Sequence, residues 1–182
     1  MIGGDLKITS SVGIGTTIDI LIPLDSKPSH YIDSVFINEK NKIAIIDDDK
    51  SIHEVWKNRF SKLDNRDKFE IIGFYDSSSL LSWSSDTANF KDNTLFLVDL
   101  ELLGSSFDGL QLIEKLGIEN SSILVTGRHE DISVILSAQK LGVKILPKIW
   151  ASTISIVLNN LNNTGLYFES PKSSFTDQKI SN

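Results

Sequence analysis

The chain has 182 residues, 40% of them apolar, and a formal net charge of −6. The acidic balance and the lack of a basic stripe argue against nucleic acid as a direct partner, and the absence of cysteine excludes disulfides and thiolate metal sites. No apolar run approaches the ~18 residues of a membrane helix, and the start MIGGDLKITSS is too polar for a signal peptide, so the expectation is a cytoplasmic chain with no direct membrane contact of its own.

In chain order, residues 1–24 read as a hairpin, with Leu6 and Ile8, then Ile18, Ile20 and Ile22, alternating with polar neighbours. Residues 25–40 are polar, contain Pro28 and read as a linker. From residue 41 to 163, short apolar runs alternate with helical periods. Ile43–Ile46 is a strand covered on both faces, followed by a helix with Ile52, Val55, Trp56 and Phe60 on one side. Next come a strand in FEIIGF (69–74) and a helix near Leu80, Leu81 and Trp83, then the strand Leu95–Val98 and a helix carrying Leu110, Ile113 and Leu116. The strand Ile123–Val125 precedes a helix with Ile132, Ile135, Ala138 and Leu141, closed by Gly142 at its C′ position. Last are the strand VKIL (143–146), a fifth helix through Ile154, Val157 and Leu161, and a tail at 164–182 that should fray. Five strands alternating with five helices predict parallel pairing through right-handed crossovers, a doubly wound α/β sheet with helices on both faces.

In such sheets the working groups gather beyond the carboxyl ends of the strands. Asp47 and Asp48 follow the first strand of the sheet, Asp99 the third, Thr126 the fourth and Lys148 the fifth, with only Pro147 between. Singly, each has an ordinary role: the DDD run as helix cap, Asp99 in a turn, Thr126 as a cap, Lys148 on the surface. Together they deliver polar groups from four strand ends to one rim. Asp47, Asp48 and Asp99 form an oxygen set suited to Mg²⁺, whose charge would offset the repulsion of crowded carboxylates. A carboxylate beside that metal can attack phosphorus, while a hydroxyl and an ammonium bind the phosphoryl oxygens.

These residues resemble the receiver domain of two-component response regulators from about Lys42 to Leu161, on the segments IAIIDDD, LFLVDLELLGSSFDGLQLI, ILVTG and AQKLGVKILPK. The resemblance implies a flavodoxin-like sheet of order 2-1-3-4-5 and Asp99 as phosphoacceptor. It also implies Asp48 as direct Mg²⁺ ligand, Asp47 as its water-mediated or hydrogen-bonded partner, and the Glu101 carbonyl as a further ligand. Thr126 and Lys148 would read the phosphoryl group, and Asp108–Gly109 would start the third helix. Glu101 and Arg128 would flank the path of attacking water and tune the lifetime of the aspartyl-phosphate. Two positions depart from the family pattern: Ile149 stands where proline usually follows the lysine, and Ile145 stands where an aromatic switch is usual. Residues 1–24, with the glycine box Gly13-Ile14-Gly15-Thr16, resemble the end of a histidine-kinase ATP-binding domain, a layout similar to the C-terminal part of a hybrid histidine kinase.

The expected function is that of a phosphoacceptor module in a phosphorelay. Its partner would be a histidine kinase or a histidine phosphotransfer protein, and it would switch an interaction face built from its fourth and fifth strand–helix units. A second copy of the chain is a candidate partner. The alternative is a pseudo-receiver that binds a partner without phosphorylation. An aspartyl-phosphate phosphatase of the haloacid-dehalogenase kind needs a second Asp two residues after the nucleophile, where this chain has Glu101. The ATP-binding asparagine box and the phosphorylatable histidine motif do not occur in these residues, and His53-Glu54 and His129-Glu130 only mimic the latter, so the chain alone is not expected to be a kinase; any parent kinase would be the candidate for membrane attachment.

Overall fold

The computed structural model describes residues 5–21, 30–38, 42–63, 69–88 and 90–159. The expected tail at 164–182 and the end of the expected fifth helix at Leu161 lie outside these residues.

The hairpin forms. Strands β1 (Asp5–Ser11) and β2 (Gly15–Leu21) pair antiparallel, Leu6 facing Ile20 and Ile8 facing Ile18. The turn uses Gly13 and Gly15 at φ +80° and +131°, backbone that glycine adopts at low cost. All its residues are exposed, so Leu6, Ile8, Ile18 and Ile20 make an uncovered apolar stripe on one side.

Beyond it lies the parallel sheet that the apolar runs predict. Strands β4 (Lys42–Ile46), β5 (Glu70–Phe74), β6 (Thr94–Asp99), β7 (Ser122–Thr126) and β8 (Lys144–Pro147) assemble in the order β5-β4-β6-β7-β8. Numbered within the sheet this is 2-1-3-4-5, the expected flavodoxin-like order. Each strand sends alternate residues to opposite faces. Ala44, Ile46, Phe96, Val98, Leu124 and Ile145 meet helices α2 (Ser77–Asp86), α3 (Gly109–Leu116) and α4 (Ile132–Leu141) in one core layer. Ile43, Ile45, Leu95, Leu97, Ile123 and Val125 meet Trp56 and Phe60 of α1 (Lys50–Phe60) in the other. In α4 the face that meets the sheet carries Val134 and Ala138, while Ile132, expected on the same face as Ala138, is 72% exposed. Among the described residues no helix is long and apolar enough to cross a membrane.

Two expectations are corrected here. The fifth helix does not form over the described residues: after a 3-10 turn at Lys148–Trp150 the chain makes strand β9 (Ser155–Asn159). The spacing of Ile154 and Val157 fits a helix, but the β-branched pair Ile156-Val157 favours extended backbone once a strand partner exists. That partner comes from the stretch expected to be a linker. Strand β3 (Ser34–Asn38) pairs parallel with β9, Val35 against Ile156 and Ile37 against Leu158. Val35 and Ile37 are fully buried in the layer that holds Trp56 and Phe60. The β3–β9 pair thus covers, beside α1, the face where the fifth helix was expected. Just before β3, Tyr31 bridges to Ile145, with Ile32 N–H donating to the Ile145 carbonyl (3.1 Å) and Ile145 N–H to that of His30 (2.9 Å), so residues 30–32 shield the β8 edge. Arg59 closes the remaining gap by donating to the carbonyls of Ala151 (2.6 Å) and Ile154.

Candidate phosphoacceptor site

At the carboxyl ends of β4, β6, β7 and β8 the predicted polar residues do converge. Asp47, Asp99 and Thr126 are 2%, 4% and 1% exposed, and Asp48 is half-buried. Carboxylate oxygens of Asp47, Asp48 and Asp99 lie within 4.8 Å of one another. The Lys148 ammonium donates to Asp99 Oδ2 at 2.8 Å and to Asp47 Oδ2 at 2.9 Å.

Local structure fixes each group. Asp47 accepts the Asp49 amide on Oδ1 (2.9 Å), and Asp49 caps α1 by accepting the Ser51 amide (2.8 Å). The Asp47 carbonyl in turn takes a bond from His53 Nε2–H at 2.7 Å. Asp99 ends β6 beneath the start of α3. Gly109 N–H donates to the Leu100 carbonyl (2.9 Å), and a Cβ at 109 would fall 2.0 Å from the Asp99 carbonyl oxygen, so only glycine fits there. Asp108 and Gln111 exchange side-chain and backbone bonds in a capping box that starts α3 at that point. Thr126 Oγ1 accepts the Arg128 amide (3.0 Å).

Burial sets the charge state. It pushes the Asp99 carboxyl up to about 6, against the Lys148 bond and with the help of the Asp47 charge. Burial works against the Lys148 ammonium too, but its bonds to Asp99 and Asp47 outweigh it and hold its pKa above the ordinary lysine value. One ammonium offsets three carboxylates only in part, and the set is hard oxygen throughout. The residues therefore fit a divalent cation of the Mg²⁺ or Mn²⁺ kind. A cleft of about 890 Å³ opens over Asp48, Asp99 and Lys148, and Glu101 and Arg128 stand at its mouth.

No family model matches the sequence. Among solved structures the chain is similar to the RcsB response regulator of Salmonella typhimurium, at 20% identity and a TM-score of 0.51 over 63% of this chain and 55% of that one. It is also similar to a response regulator receiver domain from Rhodospirillum rubrum (20% identity, TM-score 0.48, covering 62% of this chain and 87% of that one). A third likeness is to the Mn²⁺-bound form of response regulator Rcp1 (17%, 0.48, 59% and 81%). The fold is that of a receiver domain. Of the two positions singled out in the sequence, Ile145 is a fully buried aliphatic in β8, and Ile149 is 72% exposed in the turn after Lys148.

At the mouth the expected pair exists but is not alone. Arg128 Nη1 lies 3.4 Å from Glu101 Oε1, both exposed, while its Nη2 lies 2.5 Å from Asp131 Oδ2. Those bonds raise the Arg128 pKa and hold the Asp131 carboxyl at about 2. Asp131 escaped the sequence reading although its spacing of three from Arg128 and its cap position before α4 offered a signal. His53, which only mimics a histidine-kinase motif in sequence, has a structural place here. It is a packing residue, fully buried, with its ring 4.3 Å from that of Tyr75 and its Nδ1 unbonded; Gly73 makes room for it, since a Cβ there would stand 2.9 Å from Nδ1.

Proposed function

We propose that the chain is a phosphoacceptor module of a two-component phosphorelay, taking a phosphoryl group from a phosphohistidine onto Asp99. The observation that carries this is the Lys148 ammonium bridging Asp99 and Asp47 at the mouth of a receiver-type sheet, with Asp48 and Thr126 on the same rim. In the transfer an ionised Asp99 oxygen forms a bond to phosphorus as the P–N bond breaks, and the imidazole leaves with the electron pair and takes a proton. Lys148 and the Thr126 hydroxyl bind the phosphoryl oxygens as charge moves onto them. Mg²⁺ held by Asp47, Asp48, Asp99 and the Glu101 carbonyl would supply charge neutralisation. The module acts as acceptor and timer rather than as a kinase, with a histidine kinase or histidine phosphotransfer protein as donor.

The hairpin Asp5–Leu21, with its glycine turn, supports a further reading as the last strands of a kinase ATP-binding domain, and with it a hybrid-kinase origin. A pseudo-receiver is the second reading, and one observation favours it: β9 and β3 stand where a fifth helix was expected, so the fifth strand–helix unit of the expected switching face is rebuilt. Incubating the full chain with Mg²⁺ and acetyl phosphate, followed by intact mass spectrometry, separates the two. One added phosphoryl group, absent in Asp99→Asn, is the expected result. An unmodified wild type under conditions that modify a control receiver rejects the acceptor reading.

A further inference from the structure

Besides packing Ile32, Val35 and Ile37 into the core layer against the sheet, residues 30–38 reach the loops after β7 and β8 through Tyr31. Its hydroxyl donates to the His129 carbonyl at 3.0 Å, in the loop between β7 and α4. Its ring meets that of Trp150 edge-on, 5.6 Å between centroids, and stands 6.1 Å from that of His129. Each neighbour is tied to a site group. His129 follows Arg128, whose amide is bonded to the Thr126 hydroxyl. Trp150 closes the 3-10 turn that begins with Lys148. On its backbone side Tyr31 is locked to Ile145 of β8 and leads into buried β3. The tyrosine therefore leans on the threonine's loop and on the lysine's turn at once, and it cannot keep both contacts if either moves.

A phosphoryl group on Asp99 would force such movement. It replaces one carboxylate charge by a larger, more negative group with three acceptor oxygens, and Lys148 and Thr126 are the donors in reach. We propose that Tyr31 couples the phosphorylation state of Asp99 to residues 30–38, making that strap the element that registers phosphorylation. This rests on the phosphoacceptor reading. Burial and the Glu130 charge raise the Tyr31 phenol above its ordinary pKa, which keeps the hydroxyl a donor across the working pH range. Coupling is reciprocal: if phosphorylation shifts the Tyr31 contacts, then removing the hydroxyl must shift binding at the site by the same factor. A single hydrogen bond of ordinary strength corresponds to about a five-fold change.

The test uses the full chain and Tyr31→Phe, which keeps the ring against Trp150 and deletes the bond. Both are titrated with beryllofluoride and Mg²⁺, with binding followed by fluorine NMR and backbone protection by hydrogen exchange. In the wild type, beryllofluoride should change exchange at the amides of Ile32, Val35, Ile37 and Ile145. Tyr31→Phe should still bind it, with an affinity altered by about five-fold, and lose most of the exchange change at 32–37. Wild type that binds beryllofluoride without any change in that strap overturns the proposal and leaves the acceptor reading standing, as does Tyr31→Phe behaving like wild type in both measurements. Failure of the wild type both to bind beryllofluoride and to incorporate phosphate rejects the acceptor reading and this coupling with it.

Discussion

The Lys148 ammonium donates to Asp99 Oδ2 at 2.8 Å, joining the end of β8 to the end of β6 across 49 positions of sequence. The bond does not fully stabilise the charged carboxylate, because burial raises the Asp99 pKa from 3.8 to about 6. The folded protein therefore holds the Asp99 proton more tightly than the unfolded chain does. The sign follows: between about pH 4 and pH 6 this group's contribution falls as pH rises, then stays flat. By linkage the ceiling is about 2 to 3 kcal/mol for metal-free protein. Asp99→Asn mimics the neutral carboxyl. It should abolish phosphoryl incorporation, raise the metal-free Tm at pH 7.5 by a few degrees, and lose the difference between pH 5 and pH 7. Calorimetry of both proteins at the two pH values checks this; a variant less stable than wild type at pH 7.5 would contradict it.

Mg²⁺ should raise the wild-type Tm in proportion to the logarithm of its concentration, and a chelator should reverse the effect. Asp47 and Asp48 should then differ. Asp47 is buried and bonded to Lys148 and the Asp49 amide, so Asp47→Ala leaves a half-buried ammonium short of a partner and costs about 1 to 3 kcal/mol without metal. Asp48 is less buried, and Asp48→Ala should leave metal-free stability nearly unchanged while removing the Mg²⁺ response. Thermal melts with and without metal distinguish the two patterns. An undiminished Mg²⁺ response in Asp48→Ala would reject the metal site.

Arg128 lies across the mouth with Glu101 on one side and Asp131 on the other. If it screens the aspartyl-phosphate from water, Arg128→Ala and Glu101→Ala should each shorten the phosphoryl lifetime, and the double variant should lose little more than the worse single. Asp131→Asn should resemble Arg128→Ala, because it releases the guanidinium from its nearer anchor. Both pairs are solvent-exposed and weak, so effects should stay within about five-fold. Acid-quench time courses give the lifetimes, and a longer lifetime in Glu101→Ala would show that Glu101 orients water instead.

Truncation should split the N-terminal region in two. Removing residues 1–29 deletes the exposed hairpin and should change receiver stability by less than about 1 kcal/mol. Removing residues 1–38 also strips out Tyr31 and the buried Val35 and Ile37, and should leave no cooperative unfolding transition. Ile37→Ala offers a milder version, with an expected cost of about 2 to 5 kcal/mol. Urea unfolding reads all three, and a 1–38 deletion as stable as the full chain would dismiss β3 as part of the fold.

The sheet and its rim were legible because continuous apolar runs mark strands covered on both faces, and polar groups directly after them mark one edge. Ile43–Ile46, Leu95–Val98 and Ile123–Val125 carry that signal within themselves. The β3–β9 pair does not. Each strand becomes worth forming only against the other, more than a hundred residues away, and within nine residues Ile154 and Val157 suit a helix as well as a strand. Val35, Phe36 and Ile37 do make a short apolar run, but Pro28 and the mostly polar stretch before them hide so brief a signal. Tyr31 was invisible for the same reason: its role depends on which strand its segment lies beside. The buried His53 follows from Gly73, a fit between two elements that neither sequence run contains.

The uncovered stripe of Leu6, Ile8, Ile18 and Ile20 bears on how the protein behaves in bulk solution. A short hairpin with both edges free and one oily side is prone to sticking to its like. Opposing that is the long-range repulsion between molecules of net charge −6. Salt weakens the repulsion, whose range shrinks from about 10 Å at 0.1 M to about 3 Å at 1 M, and leaves the apolar attraction intact. Colloidal stability should therefore fall as ionic strength rises, and light scattering of concentrated samples should climb with salt in the full chain but not in one that starts at residue 30.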